Sequence, residues 1–418
     1  MTYVKNNLLN KKNIFFILLC IYPWLLISGP FLSDLIAIVL SFYFLYSKFS
    51  QKNFDEFKNI FFILFILFCL YISINSLFIG QTLLSIKPSV FYFRFGLFAL
   101  AVVFLIKENE SRLKYFSYSL IGILFVLFVD SIFQKIFGVN LLGTKMHHSI
   151  RVSSLFGDEL ILGSYTVKIL PIALAFVYFL NIKKNITISL ILIFIGIILI
   201  LLSAEKAALA MVIIFLIFFV TKLNLSKKKK FILSVIFSFL IGIILLSSEN
   251  LKKRLIYEFV KNIGYGQYIY SKMHDSHYRT AYKMFEDKPL FGHGPKMFRI
   301  KCSNKKYEVD QFSCATHPHN YSLQLLAETG VIGFIFFIIF YLSLLRIIIK
   351  LIVSDFYKKN YSFSLFIMCS SLFIIYLPIA PSGNIFNNWS SNINSFSIGI
   401  MLYFLKISLK NNLNEQKE

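Results

Sequence analysis

The sequence predicts an all-α, polytopic membrane protein with about twelve transmembrane helices and one large extracytoplasmic loop. Three observations predict this fold class. Hydrophobic residues make up 57% of the 418 residues and charged residues only 15%, whereas soluble globular chains are about 45–50% apolar and about 25% charged. The mean hydropathy is +0.71. Apolar runs of about 20 residues, the length of helix that crosses a bilayer, recur along the whole chain.

The predicted spans correspond to apolar runs near residues 13–30, 31–47, 59–79, 90–107, 116–138, 156–181, 187–203, 207–222, 231–247, 321–349, 361–380 and 389–406. Gly29, Pro30 and Asp34 crowd the turn between the first two runs. The N-terminus resembles a signal peptide but contains no small-x-small cleavage site. An uncleaved first helix is therefore expected.

The formal net charge of +23 predicts the orientation of the helices, because Lys and Arg accumulate in short cytoplasmic loops. The connections on one side of the spans hold 23 Lys and Arg, and the short connections on the other side hold almost none. The first set is 1–12, 48–58, 107–115, 182–186, 222–230, 346–360 and 406–418. Both termini are expected in the cytoplasm. Charge spread over separate loops forms no contiguous basic stripe, which argues against nucleic acid as a partner.

One outward-facing connection, residues 248–320, is too long for a simple connector, and such loops are usually functional. It carries 13 Lys and Arg against 7 Asp and Glu. The orientation rule does not explain positive charge on this side, so an anionic ligand is expected there. The predicted organisation is helices one to nine in residues 1–247, a catalytic loop in 248–320, and helices ten to twelve with a cytoplasmic tail in 321–418.

All seven histidines fall in segments that are predicted to face outward. They are His147, His148, His274, His277, His293, His317 and His319. The preference of histidine for interfaces over lipid accounts for part of this pattern. Even so, one side of the membrane holds every side chain that ordinarily titrates near neutral pH.

The densest group of polar residues is Thr316–Gly333. Pro318 disfavours helix at His317, and the apolar residues after Asn320 continue into a membrane helix. Asn320 is therefore a predicted N-cap. This places His319 at the end of the long loop, at the outer membrane surface.

The candidate substrate-binding side chains that are predicted near the same surface are Arg94, Arg151, Lys206, Arg279, His317, Asn320, Gln324 and Glu328. Arginine offers paired donors to phosphate oxygens, although snorkelling or an ordinary salt bridge would also explain individual cations. Gln324 and Glu328 share one helical face at a depth where polar groups are costly and are functional candidates by default. Gly292 and Gly294 could offer backbone N–H groups to a phosphate.

Cys302 and Cys314 are the cysteines of the long loop, and Cys20, Cys69 and Cys369 fall within predicted spans. In an oxidising compartment the two loop cysteines could form a disulfide, which would contribute roughly 3 kcal/mol in the loop-entropy model.

A metal site has weak support. His317-x-His319 and His274-x-x-His277, with Asp275, could supply zinc ligands. No Cys-x-x-Cys or His-Glu-x-x-His motif accompanies them. We therefore expect no metal and no other cofactor.

One motif resembles the signature of O-antigen ligases and the related O-antigen polymerases: His319-Asn320, nine residues, then Gly330-x-x-Gly333. The upstream block that is similar to the same family consists of Arg279, Pro289, Gly292-x-Gly294 and Phe298. The resemblance covers roughly residues 88–335.

The resemblance implies an inverting, metal-independent glycosyltransferase of the bacterial inner membrane, with a fold like that of C-type enzymes and a periplasmic active face. The donor would be a glycan on polyisoprenyl diphosphate, the acceptor lipid A-core or another glycan, and membrane lipids would surround the chain. His319 would be the general base and Arg279 a diphosphate-binding residue. Ser203-Ala204-Glu205-Lys206 departs from the family, because Lys206 stands where an Arg is expected.

Three alternatives remain at this level. A polymerase would use the same donor and join repeat units on the lipid carrier, and a ligase that glycosylates proteins would differ only in its acceptor. A flippase or transporter of lipid-linked glycans would need charged residues along a path through the membrane. The polar candidates cluster at one face instead, with Asp130 as an ambiguous exception.

Overall fold

The computed structural model describes residues 11–146, 150–246, 249–257, 260, 271–353 and 360–415, and the regular secondary structure in these ranges is helical. The α-helices are α1 Lys11–Leu25, α2 Pro30–Gln51, α3 Ile60–Asn75, α4 Leu83–Val90, α5 Phe93–Glu108, α6 Leu113–Phe137, α7 Leu162–Phe179, α8 Asn185–Ser203, α9 Lys206–Lys222, α10 Lys227–Leu246, α11 Glu249–Lys252, α12 Lys272–Asp287, α13 Phe298–Lys301, α14 Tyr321–Val353, α15 Asn360–Ile375 and α16 Asn388–Glu415. The all-α prediction is confirmed. His147 and His148 lie outside the described residues.

Eight helical segments of the described chain are long and apolar enough to cross a membrane: Pro30–Gln51, Ile60–Gly80, Leu83–Glu108, Glu110–Phe137, Leu162–Phe179, Asn185–Ser203, Tyr321–Val353 and Asn388–Asn411. Two shorter apolar helices, Asn13–Leu25 and Asn360–Ile375, occupy the first and eleventh predicted runs. Helices α9 and α10 occupy runs 207–222 and 231–247. The chain is therefore a multi-helix membrane protein, and the count of twelve spans stays a prediction.

Helix α7 forms the centre of the helix bundle. Helices α6, α8, α9, α15 and α16 pack around it, and most of its side chains are buried. A helix that is hydrophobic on all faces is stable only where every face is covered. The Ser364 hydroxyl donates to the Ala175 carbonyl at 2.7 Å, which ties α15 to this central helix.

Helix α14 bends sharply at Gly330, whose backbone lies at φ +64° and ψ −170°. The Val331 N–H donates to the Pro289 carbonyl at 2.8 Å, so a turn of the preceding loop packs into the bend. A Cβ on Gly330 would lie 2.2 Å from the Leu290 carbonyl oxygen. The first glycine of the motif is therefore required by backbone conformation and by close packing.

One end of the bundle gathers lysines from three segments around one carboxylate, and we call it the lysine end. Glu56 lies 2.7 Å from Lys48, 3.4 Å from Lys406 and 3.8 Å from Lys107. These residues come from three of the connections that the charge pattern assigns to the same side. Their convergence agrees with that assignment.

The other end of the same three helices carries a different polar network. Arg94, at the start of α5, contacts Asp34 of α2 at 3.2 Å. Asn388 and Asn392 of α16 donate to the same carboxylate at 3.4 and 3.1 Å. We call this end the histidine end, because it also carries the histidines described below.

Asp130 lies near the last turns of α6. Its carboxylate accepts hydrogen bonds from the Ser154 hydroxyl at 2.5 Å and from the Leu141 N–H at 2.7 Å. It therefore fastens a loop to the end of a helix. Because its carboxylate is bound to this loop, Asp130 gives no support to the charged path through the membrane that a transporter would need.

Candidate active site

Helix α12 supplies two of the histidines at the histidine end. Its N-cap is Ser271, whose hydroxyl accepts the backbone N–H of His274. His274 and His277 are three residues apart and so share one face of the helix. Further along the same face, Ala281 and Met284 pack into a small hydrophobic core with Phe298, Cys302, Tyr307 and Ala327. This core fixes the helix, and with it the two imidazoles, above α14.

His319 is held by its backbone. It lies in the left-handed region at φ +56°, and its carbonyl accepts the Ser382 N–H at 2.9 Å and the Tyr278 hydroxyl at 3.4 Å. Asn320 caps α14 as predicted: its side chain accepts the Leu323 N–H at 2.9 Å. A non-glycine residue held at positive φ stores strain that surrounding contacts must offset, and such residues concentrate at functional sites.

The imidazole rings of His274, His277 and His317 lie around that of His319, and we call these four rings the histidine cluster. The ring centroid of His319 lies 4.1 Å from that of His317 and 5.4 Å from those of His274 and His277. No described residue hydrogen-bonds to the ring nitrogens of His319. His317 and His319 are close because they are two residues apart in the sequence. The tertiary fold brings His274 and His277 to them.

The environment of the histidine cluster favours neutral imidazoles. Burial, followed by the neighbouring histidines, lowers the pKa of His319 to about 3. Burial also lowers the pKa of His317 to about 4 and that of His274 and His277 below the ordinary value. A neutral imidazole has a free lone pair and can accept a proton.

The loop before His317 is closed by a disulfide. Cys302 and Cys314 are bonded, with Cα atoms 5.2 Å apart. The bridge begins at the buried end of α13 and ends just before the histidine motif. It shortens the free chain that leads to His317 and thereby restricts its position.

Gln324 and Glu328 form buried hydrogen bonds that connect α14 to other parts of the chain. The Gln324 amide donates to Glu328 at 3.0 Å and to Asn384 at 2.9 Å, and the Glu328 carboxylate accepts the Phe298 N–H at 2.9 Å. Both side chains are completely buried. Their polar atoms bind other parts of the chain, so the structure favours a role in positioning over direct contact with a ligand.

The suggestion that Gly292 and Gly294 offer N–H groups to a phosphate is wrong. The Gly292 N–H donates to the Lys288 carbonyl at 2.9 Å, and the Gly294 N–H donates to the Glu328 carbonyl at 2.7 Å. A Cβ on Gly294 would lie 2.5 Å from the Cα of Gly80. The two glycines allow a tight turn to pack against other backbone.

A first group of cations surrounds the connection between α8 and α9, and we call it the hairpin patch: Arg151, Lys206 and Arg254. Arg151 donates to the Ser203 carbonyl at 3.1 Å and lies 3.9 Å from Glu205. Arg254 donates to the neighbouring Ala204 carbonyl at 3.1 Å.

The hairpin patch adjoins the histidine cluster. The charge of Lys206 contributes to the lowered pKa of His274, after burial and His277. Glu205, the carboxylate of this region, is engaged by α7: it accepts the Gly163 N–H at 2.8 Å and the Ser164 hydroxyl at 2.5 Å. Arg254 was not among the predicted site residues, because only the tertiary fold brings it to the hairpin.

A second group of cations includes Arg299, which lies beside the residue before His317, and we call it the turn patch: Arg94, Lys296 and Arg299. Arg299 donates to the Thr316 carbonyl at 3.3 Å, beside His317. Burial lowers the pKa of Lys296, and the charges of Arg299 and Arg94 lower it further. Neither Lys296 nor Arg299 carries a local sequence signal that distinguishes it from the other loop lysines and arginines.

Arg279 stands apart from both patches. Its Nε lies 2.8 Å from Asp275 on the same helix, and its side chain is 61% exposed. It lies two positions beyond His277, so it points away from the histidine face of α12. The structure therefore shows Arg279 in an ordinary surface salt bridge, and a binding role for Arg279 rests on the family resemblance. Among the described residues, no group of three or more metal-ligating side chains could hold a metal ion.

One comparison with known proteins found a similarity. Residues 188–338 match the model of the O-antigen ligase family. The matched segment contains the hairpin, α12, the histidine cluster and the bend at Gly330, and it ends before α15. No curated protein matches the chain.

Proposed function

From the O-antigen ligase domain at residues 188–338, we propose that this chain is a membrane glycosyltransferase. It transfers a glycan from a polyisoprenyl diphosphate carrier to a lipid A-core acceptor on the periplasmic face of the bacterial inner membrane, with inversion at the anomeric carbon. The observation that carries the proposal is the neutral His319, held at positive φ and in contact with three other imidazoles.

His319 acts as the general base. The acceptor hydroxyl loses its proton to a ring nitrogen of His319 as its oxygen attacks the anomeric carbon, and the bond to the carrier diphosphate breaks on the opposite face. General-base assistance of this kind contributes about 10²- to 10⁴-fold in rate. The other three rings exclude water and keep His319 neutral until the acceptor arrives.

A pKa of about 3 would make His319 a weak base. Binding of a donor changes this, because a negative diphosphate close to the ring stabilises the imidazolium. The donor thereby raises the basicity of His319 at the moment of attack. The base is weak in the empty site and becomes effective in the complex.

The hairpin patch holds the donor diphosphate. A diphosphate is a stable leaving group, so the enzyme needs fixed positive charge and no acid to protonate it. Arg151 and Lys206 supply that charge, and Arg254 adds a second guanidinium. Gln324, Glu328 and Asn320 hold the start of α14 and the loop before it in position. Arg279 lies on the exposed side of α12.

The test is the pair of variants His319→Ala and His317→Ala, assayed for glycan transfer with the purified full chain. We expect His319→Ala to lose transfer by about 10²- to 10⁴-fold with unchanged expression. We expect His317→Ala, which removes a neighbouring ring of the same size, to lose less. Full transfer by His319→Ala would overturn the assignment.

The alternative function, an O-antigen polymerase, uses the same donor and the same base. A chromosomal deletion followed by a gel of the surface glycan separates the two. Loss of all polymer from the lipid core, with long chains left on the carrier, indicates a ligase. A single repeat unit on the core indicates a polymerase.

A further inference from the structure

A cavity of about 220 Å³ lies at the lysine end, where α3 begins and α5 ends. Charged side chains line its opening: Asp55, Glu56, Lys58 and Lys406. Apolar side chains line the rest of it: Leu100, Val103, Leu402, Leu405 and Leu409. The cavity therefore has a charged mouth and an apolar floor, and none of these residues belongs to the proposed transfer site.

The ion pairs at the mouth contain more cations than carboxylates. Three lysines of the lysine end lie around Glu56, and Lys58 pairs with Asp55 at 2.8 Å. Four ammonium groups therefore share two carboxylates. The side chains of Lys58 and Lys406 are 77% and 47% exposed, so both ammonium groups are accessible to a ligand. This excess of positive charge favours an anionic group at the mouth.

The ammonium groups at the mouth act on one another's partners, which shows that they form one charged region. The pKa of Asp55 is lowered by the hydrogen bond from Lys58 and further by the charges of Lys58, Lys406 and Lys48. Lys406 comes from α16 and Lys48 from α2, whereas Asp55 lies between α2 and α3. The tertiary fold thus gathers cations of separate segments at one opening.

The floor of the cavity lies deeper in the bundle than the cations. Leu100 and Val103 of α5 are buried. At about 1.5 Å per residue, Leu100 lies roughly 10 Å from Lys107 along the helix. Cations at the ends of helices lie at the level of the membrane surface, so a floor at this depth lies within the hydrocarbon region.

The apolar surface continues beyond this floor. Leu100 and Leu402 also line a second cavity of about 150 Å³, which extends along α5 to Phe95. From Lys107 to Phe95 the helix covers roughly 18 Å. One leaflet is half of a hydrocarbon core of about 30 Å. The two cavities together are therefore long enough to hold an acyl chain of one leaflet.

Only a ligand with two different parts would use both the mouth and the floor. A free phosphate would bind the ammonium groups and leave the apolar floor uncovered. A neutral hydrocarbon would cover the floor and leave the excess charge of the mouth without a counter-ion. Basic pockets between membrane helices bind anionic lipid headgroups, and each lysine near such a headgroup contributes about 1 kcal/mol.

We propose that the lysine end binds an anionic glycerophospholipid of the leaflet at that end, with its phosphate at Lys58 and Lys406 and one acyl chain in the cavity. The bound lipid joins α3, α5 and α16 and stabilises the folded chain. This site is separate from the histidine cluster, and its test requires no assay of glycan transfer.

The test measures the unfolding temperature of the full chain in detergent as lipid is added. Phosphatidylglycerol is compared with phosphatidylcholine that has the same acyl chains, so that only the headgroup differs. A ligand that binds the folded state alone raises its stability as the site fills. We expect phosphatidylglycerol to act on the wild type at lower concentration than phosphatidylcholine.

Two variants test whether the lysines of the mouth cause this preference. Lys58→Gln and Lys406→Gln should each need about fivefold more phosphatidylglycerol for the half-maximal rise in unfolding temperature. Their response to phosphatidylcholine should not change. Lys406→Arg should keep the wild-type response, because it keeps the charge. Lys58 is exposed, so Lys58→Gln keeps the test valid if Lys406→Gln folds poorly.

Lys114→Gln is the matched control. Lys114 is an exposed lysine at the start of α6, on the same predicted side, and it does not line the cavity. This variant should respond to both lipids as the wild type does. An equal effect of the two lipids on the wild type, an unchanged response of Lys58→Gln and Lys406→Gln, or an equal loss in Lys114→Gln overturns the site.

Glycerol phosphate separates a lipid site from a site for a free anion. It carries the charge of the headgroup without acyl chains, so it cannot cover the apolar floor. At the concentrations at which phosphatidylglycerol acts, we expect no rise in the unfolding temperature of the wild type. An equal rise would show that the mouth alone binds an anion, and it would overturn the proposed lipid.

Discussion

The two ends of the helix bundle are both rich in cations, but they bury them to different extents. At the lysine end, Lys107 and Lys406 are 49% and 47% exposed, and the buried Lys48 is paired with Glu56. At the histidine end, Arg94 and Arg151 are only 22% and 16% exposed. Exposed cations are solvated by water and satisfy the charge rule for orientation. Partly buried cations are less well solvated by water and therefore gain more from an anion that binds beside them.

Because of this difference, we expect substitutions at the lysine end to affect the stability of the fold and substitutions at the histidine end to affect glycan transfer. Changes at the lysine end should lower stability and leave the transfer rate per folded molecule unchanged. Changes to the histidines should lower transfer and leave the fold intact.

The largest effect on stability is expected for Glu56→Gln. Removal of this carboxylate leaves Lys48 buried without a counter-charge and should lower the free energy of unfolding by about 3 kcal/mol. Thermal unfolding in detergent measures this, together with transfer per folded molecule. Asp55→Asn is the matched control, because Asp55 pairs with Lys58 in full exposure and should change nothing measurable. A loss of transfer without a loss of stability would contradict the separation of the two ends.

A smaller effect is expected for Gly330→Ala, which tests the bend in α14. Alanine at φ +64° and ψ −170° is strained by about 1–3 kcal/mol, and its Cβ would meet the Leu290 carbonyl. Both stability and transfer should fall, because the bend positions the loop that carries His319. Gly242→Ala in α10, where a Cβ meets nothing within 4 Å, should be neutral or slightly stabilising. Equal behaviour of the two variants would show that the bend is not required.

Local sequence signals predicted the parts of the molecule that depend on local physics. Apolar runs located the helices, and the polar residue before an apolar run located the cap at Asn320. The Gly292-x-Gly294 prediction failed because the sequence does not show which carbonyls those N–H groups meet. Arg254 and Lys296 were missed for the same reason. Arg254 contacts a carbonyl 50 residues away in the sequence, and only the tertiary fold brings Arg94 near Lys296.

The pH dependence of stability offers a final way to separate the two ends. The histidine cluster has lowered pKa values, from an ordinary 6.5 to about 3 for His319 and about 4 for His317. The unfolded chain therefore binds protons below pH 6.5 that the folded chain does not bind, so stability should fall as the pH drops from 6.5 toward 4. Burial opposes ionisation of Glu56, but the hydrogen bond from Lys48 and the charge of Lys406 outweigh it and lower its pKa below 4.5. Its contribution is complete above pH 4.5 and is lost only in more acidic solution.

The unfolding temperature of the wild type should therefore decrease between pH 7.5 and 5.5, because the buried histidines, His293 included, have lowered pKa values. His317→Asn should flatten this decrease, since it removes one buried imidazole that the unfolded chain can protonate. Glu56→Gln should lower the unfolding temperature at both pH values and keep the same decrease between them. If Glu56→Gln flattened the slope and His317→Asn did not, the acid sensitivity would belong to the lysine end and the comparison would be reversed.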